Sequence, residues 1–206
     1  MTIALIPAAG TSSRMGRPKL ALPLGDRTVL EMVVHAFRQA GVGKILVVVG
    51  PSVPELVPLA ESAGAAVLRL GKQTSEMRAT VEQGLDWLED RYHPEGRDNW
   101  ILAPADHPSL NPAVVAELLR TYAGNPQTSI VVPTFHGQRG HPALLSWEHA
   151  AQIKQFPANQ GLNVYLRQHA SATIEMPVEM PDILVDLDTP EDYQRLQARW
   201  MPPTLT

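Results

Sequence analysis

From Pro7 to Lys19 the chain reads Pro-Ala-Ala-Gly-Thr-Ser-Ser-Arg-Met-Gly-Arg-Pro-Lys, so small residues, glycines, hydroxyls and cations crowd into one connector. Small side chains at Ala8, Ala9 and Gly10 let backbone N–H groups come close to an anion. Thr11 and Ser12 add hydroxyl donors, and Arg14 and Lys19 can neutralise the charge of a triphosphate. The spacing is neither GxxxxGK[ST] nor GxGxxG, which excludes the two commonest nucleotide loops. A second chemical feature is Asp106, within Pro104-Ala105-Asp106-His107-Pro108. A third is the pair Asp186 and Asp188, within Val185-Asp186-Leu187-Asp188-Thr189-Pro190-Glu191-Asp192-Tyr193. Carboxylates of this kind suit Mg²⁺, which takes one or two of them together with phosphate oxygens. Each feature has a plainer reading: a surface loop, a turn aspartate capping backbone, and a helix-start signal built on Thr189, Pro190 and Glu191.

Composition narrows the chemistry. The 206 residues carry no cysteine, which excludes disulfides, Cys-ligated zinc, iron–sulfur clusters and thiol catalysis; any metal must be held by Asp, Glu, His or Asn. A formal net charge of -4 argues against a surface built to hold nucleic acid. The apolar run Ile3 to Ile6 is too short for a signal peptide core and has no basic residue before it, and no apolar stretch approaches a membrane span. A cytoplasmic protein with neither nucleic-acid nor membrane partners is expected. Residues 1–200 are expected to form one domain, followed by a loose tail over 201–206.

These residues must be positioned by elements that alternate strand and helix, the pattern of an α/β fold with a largely parallel sheet between helical layers. Ile3 to Pro7 reads as the first strand, and Thr28 with Glu31 forms a capping box that opens a helix to Ala40, stopped at Gly41. Lys44 to Val49 is a continuous β-branched run that suits a strand covered on both faces. The spacing then predicts a helix over 53–63, a strand over 65–70 and a long helix over 76–92. Trp100 to Ala103 is the next strand, which places Asp106 just past a strand end. Asn111-Pro112 opens a helix, 129–134 is a strand, and 143–145 returns, read as antiparallel. Helices over 147–155 and 162–169, a last strand near 183–185 and a closing helix after Pro190 complete the reading. On a strand, Asp186 and Asp188 would share one face.

The loop from Ala8-Ala9-Gly10 through Arg14-Met15-Gly16 to Lys19, taken with Asp106 and the Asp186–Asp188 motif, resembles the molybdenum cofactor cytidylyl- and guanylyltransferases. These share a MobA-like nucleotidyltransferase domain, and the likeness spans essentially the whole chain. The resemblance implies a Rossmann-like three-layer fold with a mostly parallel sheet. It implies Mg²⁺-dependent transfer of a nucleoside monophosphate to a phosphorylated, molybdopterin-type acceptor, with release of pyrophosphate. The triphosphate would be bound by Ala8, Ala9, Gly10, Thr11, Ser12, Arg14 and Lys19. Asp106 and Asp188 would hold the metal, Asp186 being the lesser choice. Arg14, Lys19 and Asp106 would act directly on the transfer. Ala-Ala-Gly is the cytidylyl form of the loop, so Ala9 favours CTP.

In Gln73-Thr74-Ser75-Glu76-Met77-Arg78-Ala79-Thr80 the resemblance is partial. It implies contact with the base by Thr80 and, less strongly, Ser75, although Glu76 and Arg78 depart from the pattern. Arg139-Gly140-His141-Pro142 resembles a segment on the acceptor side, where Arg139 and His141 would hold an anion. Asn159-Gln160-Gly161-Leu162-Asn163 departs from the cytidylyl pattern and leaves the acceptor open. Sugar- or polyol-phosphate transfer, and a silent pterin- or nucleotide-binding accessory of a molybdoenzyme, stand as alternatives. The histidines outside these motifs have no mutual ligand spacing.

Overall fold

The computed structural model describes residues 1–12 and 15–200. Its centre is a mixed sheet of eight strands among the described residues. β1 (Thr2–Ala8) lies between β4 (Lys44–Val49) and β6 (Asn99–Leu102), parallel to both, and β5 (Ala66–Arg69) extends the β4 side. Beyond β6 comes β9 (Ala143–Ser146), antiparallel to β6 and to β7 (Ile130–Phe135), and then β10 (Thr173–Pro177), parallel to β7. The short β8 (Gln138–Arg139) folds back on β7, while β2 (Pro23–Leu24) and β3 (Arg27–Thr28) form a separate hairpin. His136 and Gly137 both have positive φ, as a two-residue hairpin turn matched to strand twist requires.

Alternation along the central strands feeds two separate cores. Ala4, Ile6, Ile45 and Val47 face α1 (Val29–Gln39), α2 (Leu56–Ser62), α4 (Pro112–Gly124) and α7 (Pro190–Trp200). Ile3, Leu5, Leu46 and Val48 face α3 (Met77–Tyr92), α5 (Glu148–Gln155) and α6 (Leu162–Gln168). The result is the three-layer α/β sandwich, covered on both sides as a buried parallel sheet must be. α3 meets the sheet closely at Gly84, where a Cβ would lie 2.6 Å from Leu5 Cδ1. The capping box at Thr28 is present with both reciprocal bonds, and Asn111 caps α4 with Pro112 behind it.

The antiparallel return at β9 agrees with the sequence reading, and β8 is a second antiparallel member. The last strand needs correction. Residues 181–184 form a 3-10 turn, and the sheet-edge strand is instead Thr173–Pro177. Glu175 and Met176 in that segment gave it a mixed character, whereas Ile-Leu-Val at 183–185 had the stronger apolar run; pairing with β7 decided the matter. Asp186 and Asp188 therefore leave a turn rather than a strand and need not share a face. No helix among the described residues is long and apolar enough to cross a membrane.

Candidate active site

After β1 the chain runs to β4 and β5 on one side, then returns to place β6 on the other side of β1. The strand order therefore reverses between β1 and β6, and ligands in open α/β sheets bind outside the carboxyl ends of strands at such a point. A cleft of about 470 Å³ opens there. One wall is the loop Pro7 to Ser12, a second is Gln73 to Met77 with Thr80, and the floor carries Lys19, Asp106 and Asp188.

The loop is held in an unusual shape. Ser12 adopts φ of 52° and its hydroxyl accepts a 3.2 Å hydrogen bond from the Lys19 backbone, which ties the start of the loop to its end. Gly16, at φ 63°, supplies the left-handed turn in between. Ala8 and Ala9 are buried and Gly10 is exposed at the cleft. Arg14, expected to neutralise triphosphate charge, lies outside the described residues, as do residues 201–206.

Lys19 Nζ donates to Asp106 Oδ2 at 2.7 Å and to Asp188 Oδ1 at 2.9 Å. Burial works against its charge, but the hydrogen bonds and negative charges of both aspartates outweigh that and hold the ammonium above its ordinary range. Three residues from distant parts of the chain thus meet as one charged cluster. The meeting has a backbone cause: Leu187 N donates to the Asp106 carbonyl at 2.9 Å and seats the acidic segment beside the end of β6.

Asp186 turns elsewhere. Its carboxylate pairs with His107 Nε2, and that hydrogen bond holds Asp186 below the usual carboxylate range. The His107 ring packs edge-on against His141, with centroids 4.9 Å apart. Burial, reinforced by His107, pushes His141 down to about 4, so it is a neutral imidazole at pH 7. Its Nδ1 is buried with no hydrogen-bond partner among the described residues.

The Arg139 to Pro142 motif touches the segment that leads to the acidic pair. Gly140 leaves room for the Ile183 carbonyl, which a Cβ there would meet at 2.4 Å, and His141 N donates to that same carbonyl at 2.9 Å. Docking Ile183 in this way leads the chain on towards Asp188, which lines the cleft. Arg139 and His141, expected on the acceptor side, are not among the residues lining the cleft. The Arg139 guanidinium donates to Glu175 at 2.8 Å and to the Leu166 carbonyl at 3.4 Å.

On the opposite wall Thr80 is buried, lines the cleft and shares a 2.7 Å hydrogen bond with Thr74 Oγ1; Ser75 lines it as well. Three residues around the site receive no role from the sequence. Gln73 donates to the Ala9 carbonyl and accepts from Ser52 Oγ, bracing the loop after β1 against the turn after β4. Arg78 is buried and donates to the carbonyls of Ile153, Phe156, Pro157 and Gln160 while pairing with Glu82 at 2.7 Å. It therefore holds the divergent Asn159–Asn163 stretch to the first turn of α3. His107 is the third; its place beside Asp106 was the available signal, but its partner lies 79 positions on in sequence.

The chain is 31% identical to phosphoenolpyruvate guanylyltransferase of Rubrobacter xylanophilus, over 89% of this chain and 82% of that one. It is 26% identical to molybdenum cofactor guanylyltransferase of Rhizobium meliloti, over 97% and 91% of the two chains. It is 24% identical to molybdenum cofactor cytidylyltransferase of Escherichia coli, over 95% of each. Its fold matches that of Rv0371c from Mycobacterium tuberculosis H37Rv, solved in complex with manganese, with a TM-score of 0.76, 24% identity and coverage of 96% and 97%. The family model described as the MobA-like NTP transferase domain matches residues 4–173, a span that includes the loop after β1, Thr80 and Asp106, and the chain therefore belongs to the MobA-like nucleotidyltransferases.

Proposed function

We propose that this protein transfers a nucleoside monophosphate, CMP from CTP, to a phosphorylated acceptor of the molybdopterin type, using Mg²⁺ and releasing pyrophosphate. The observation that carries the proposal is the convergence of Lys19, Asp106 and Asp188 on the floor of the cleft, directly beside the loop Ala8 to Ser12. The loop's small residues present backbone N–H groups to the phosphates, and Lys19 offers a cation. Thr74 and Thr80 put hydroxyls on the wall opposite the loop, where the base and ribose would lie.

Asp106 and Asp188 would hold the metal. Their carboxylates already converge on one cation, and among the described residues no group of three or more His, Asp or Glu could bind one. Two carboxylates, with the remaining positions left to phosphate and water, suit Mg²⁺, and the manganese complex of the structural neighbour is in keeping with a divalent ion. When bound, the metal would offset negative charge on the triphosphate and on the transition state. An acceptor oxygen attacks the α-phosphorus in line; the new P–O bond forms as the bond to the β-phosphate oxygen breaks, and the electron pair leaves with pyrophosphate. Positioning and charge stabilisation are what these residues contribute, and no side chain need be covalently modified.

Ala9 carries the preference for CTP. The likeness to phosphoenolpyruvate guanylyltransferase favours a second reading, in which a smaller phosphorylated acceptor takes the place of the pterin and GTP is the donor. The test is pyrophosphate release by purified protein with Mg²⁺, each of the four nucleoside triphosphates, and a panel of pterin, sugar-phosphate and enol-phosphate acceptors. Turnover with CTP and the pterin supports the first reading. Turnover with GTP and an enol phosphate replaces it with the second. No pyrophosphate from any pair would leave a silent binding protein for molybdoenzymes and end the enzymatic proposal.

A further inference from the structure

Lys19 already engages both carboxylates that would hold the metal. Its ammonium is 2.7 Å from one carboxylate and 2.9 Å from the other, and its side chain is only 14% exposed. Lys19 takes Asp106 Oδ2 and Asp188 Oδ1, one oxygen of each carboxylate, and a second cation held by the same two carboxylates would be repelled at close range in a partly buried site. The lysine backbone, in contrast, is anchored, because its N–H donates to Ser12 Oγ and it opens the 3-10 turn Lys19–Ala21. Only the flexible four-carbon stem is free to change direction. The nearest new destination is the loop side of the same cleft, where the triphosphate would bring negative charge.

We infer that Lys19 is an exchangeable internal cation: it neutralises Asp106 and Asp188 before the metal arrives, competes with the metal for them, and transfers to the triphosphate when nucleotide enters. This rests on the assignment of Asp106 and Asp188 as metal ligands. In the empty enzyme the lysine offsets charge on two partly buried carboxylates. It also makes the metal site weak until a triphosphate offers the lysine another partner, so the metal is taken up together with the nucleotide.

The experiment is titration of nucleotide-free protein with Mn²⁺ alone, following free Mn²⁺ by electron paramagnetic resonance. Lys19→Met removes the competing charge and should bind Mn²⁺ about tenfold more tightly than wild type, within the usual range of coupling between sites. Lys19→Arg keeps a cation and should stay weak. Lys19→Gln retains hydrogen-bond donors without charge; it should tighten binding in the same direction, and it takes over the test should the methionine variant fail to fold. Asp106→Asn separates the two ideas. If it leaves Mn²⁺ binding unchanged, the metal assignment itself fails. If it abolishes binding while Lys19→Met and Lys19→Gln bind no more tightly than wild type, the metal assignment stands and the exchange is overturned.

Discussion

Replacing Gly50 with alanine asks whether the loop after β1, proposed to hold the nucleotide, is seated by close approach of two backbones. Gly50 follows β4, is buried and has no positive φ, so its conformation admits an ordinary side chain and only space is at issue. An added Cβ would lie 3.0 Å from the Cα and from the carbonyl oxygen of Ala9, and 3.1 Å from its Cβ. Those atoms cannot swing aside as the end of a long side chain would, because β1 and β4 are paired through Ala8 and Val49, immediately before the two residues. Forcing a methyl group into a packed site costs about 1–3 kcal/mol, and Gly50→Ala is expected to lose stability in that range. The available relief is displacement of Ala9, which lines the cleft and whose carbonyl accepts from Gln73, so both the loop and that bond would be disturbed. If about 1.4 kcal/mol of the cost falls on the nucleotide complex, KM for the triphosphate rises about tenfold with less change in kcat. Urea denaturation and steady-state kinetics measure the two effects. Adding Ala9→Gly removes the Cβ contact but leaves those with Cα and oxygen, so the double variant should recover part of the loss, with a coupling of about 0.5–1 kcal/mol. Wild-type midpoint and KM in Gly50→Ala would refute the reasoning.

Other expectations follow from the same contacts. Asp106→Asn should lower kcat by about a hundredfold or more while leaving the melting temperature within a few degrees of wild type, since charge stabilisation rather than packing is lost; a near-native kcat would remove Asp106 from the reaction. Arg78→Met leaves four carbonyls without their buried donor and should cost more than about 3 kcal/mol in urea denaturation; a loss below about 1 kcal/mol would show that water replaces the guanidinium. His149 is buried, with Nδ1 2.6 Å from the Tyr165 hydroxyl and Nε2 2.8 Å from Ser129 Oγ, and burial holds it at about 4 against an ordinary 6.5. Its folded value lies below the unfolded one, so the unfolded chain takes the proton first. The neutral imidazole's contribution is complete above about pH 6.5 and is lost towards pH 4, by at most about 1.4 kcal/mol per pH unit. The stability gap between wild type and His149→Gln, measured by urea denaturation, should therefore narrow as pH falls from 7 to 4.5, and a constant gap would contradict the assignment.

Local signals were enough for much of this protein. Thr28 with Glu31, Asn111-Pro112 and the β-branched run Lys44 to Val49 each specify an element through contacts within a few residues, and the structure has those elements there. The loop from Pro7 to Lys19 was legible for the same reason: its small residues and cations lie next to one another in sequence, so the capacity to hold an anion could be read directly. Asp106 was legible because it follows a strand, and a strand's carboxyl end faces the crevice wherever that strand lies in the sheet.

What the chain order could not convey was which groups meet. Asp186 and Asp188 look equivalent in sequence, yet one pairs with His107 and the other with Lys19, because a 3-10 turn docked on Gly140 and His141 replaces the strand that would have aligned them. Arg78 looked like a departure within the segment from Gln73 to Thr80. Folding turns it inward onto carbonyls more than seventy residues away. The partner of Arg139 was equally hidden: β10, the strand that the apolar pattern missed, brings Glu175 beside it. The sequence by itself determined most of the elements and the crowding of small residues, hydroxyls and cations in the loop after β1, because those depend on near neighbours. Only the tertiary structure decided the partners of each charge, because a side chain's electrostatic environment is made by whatever the fold places within a few ångströms of it.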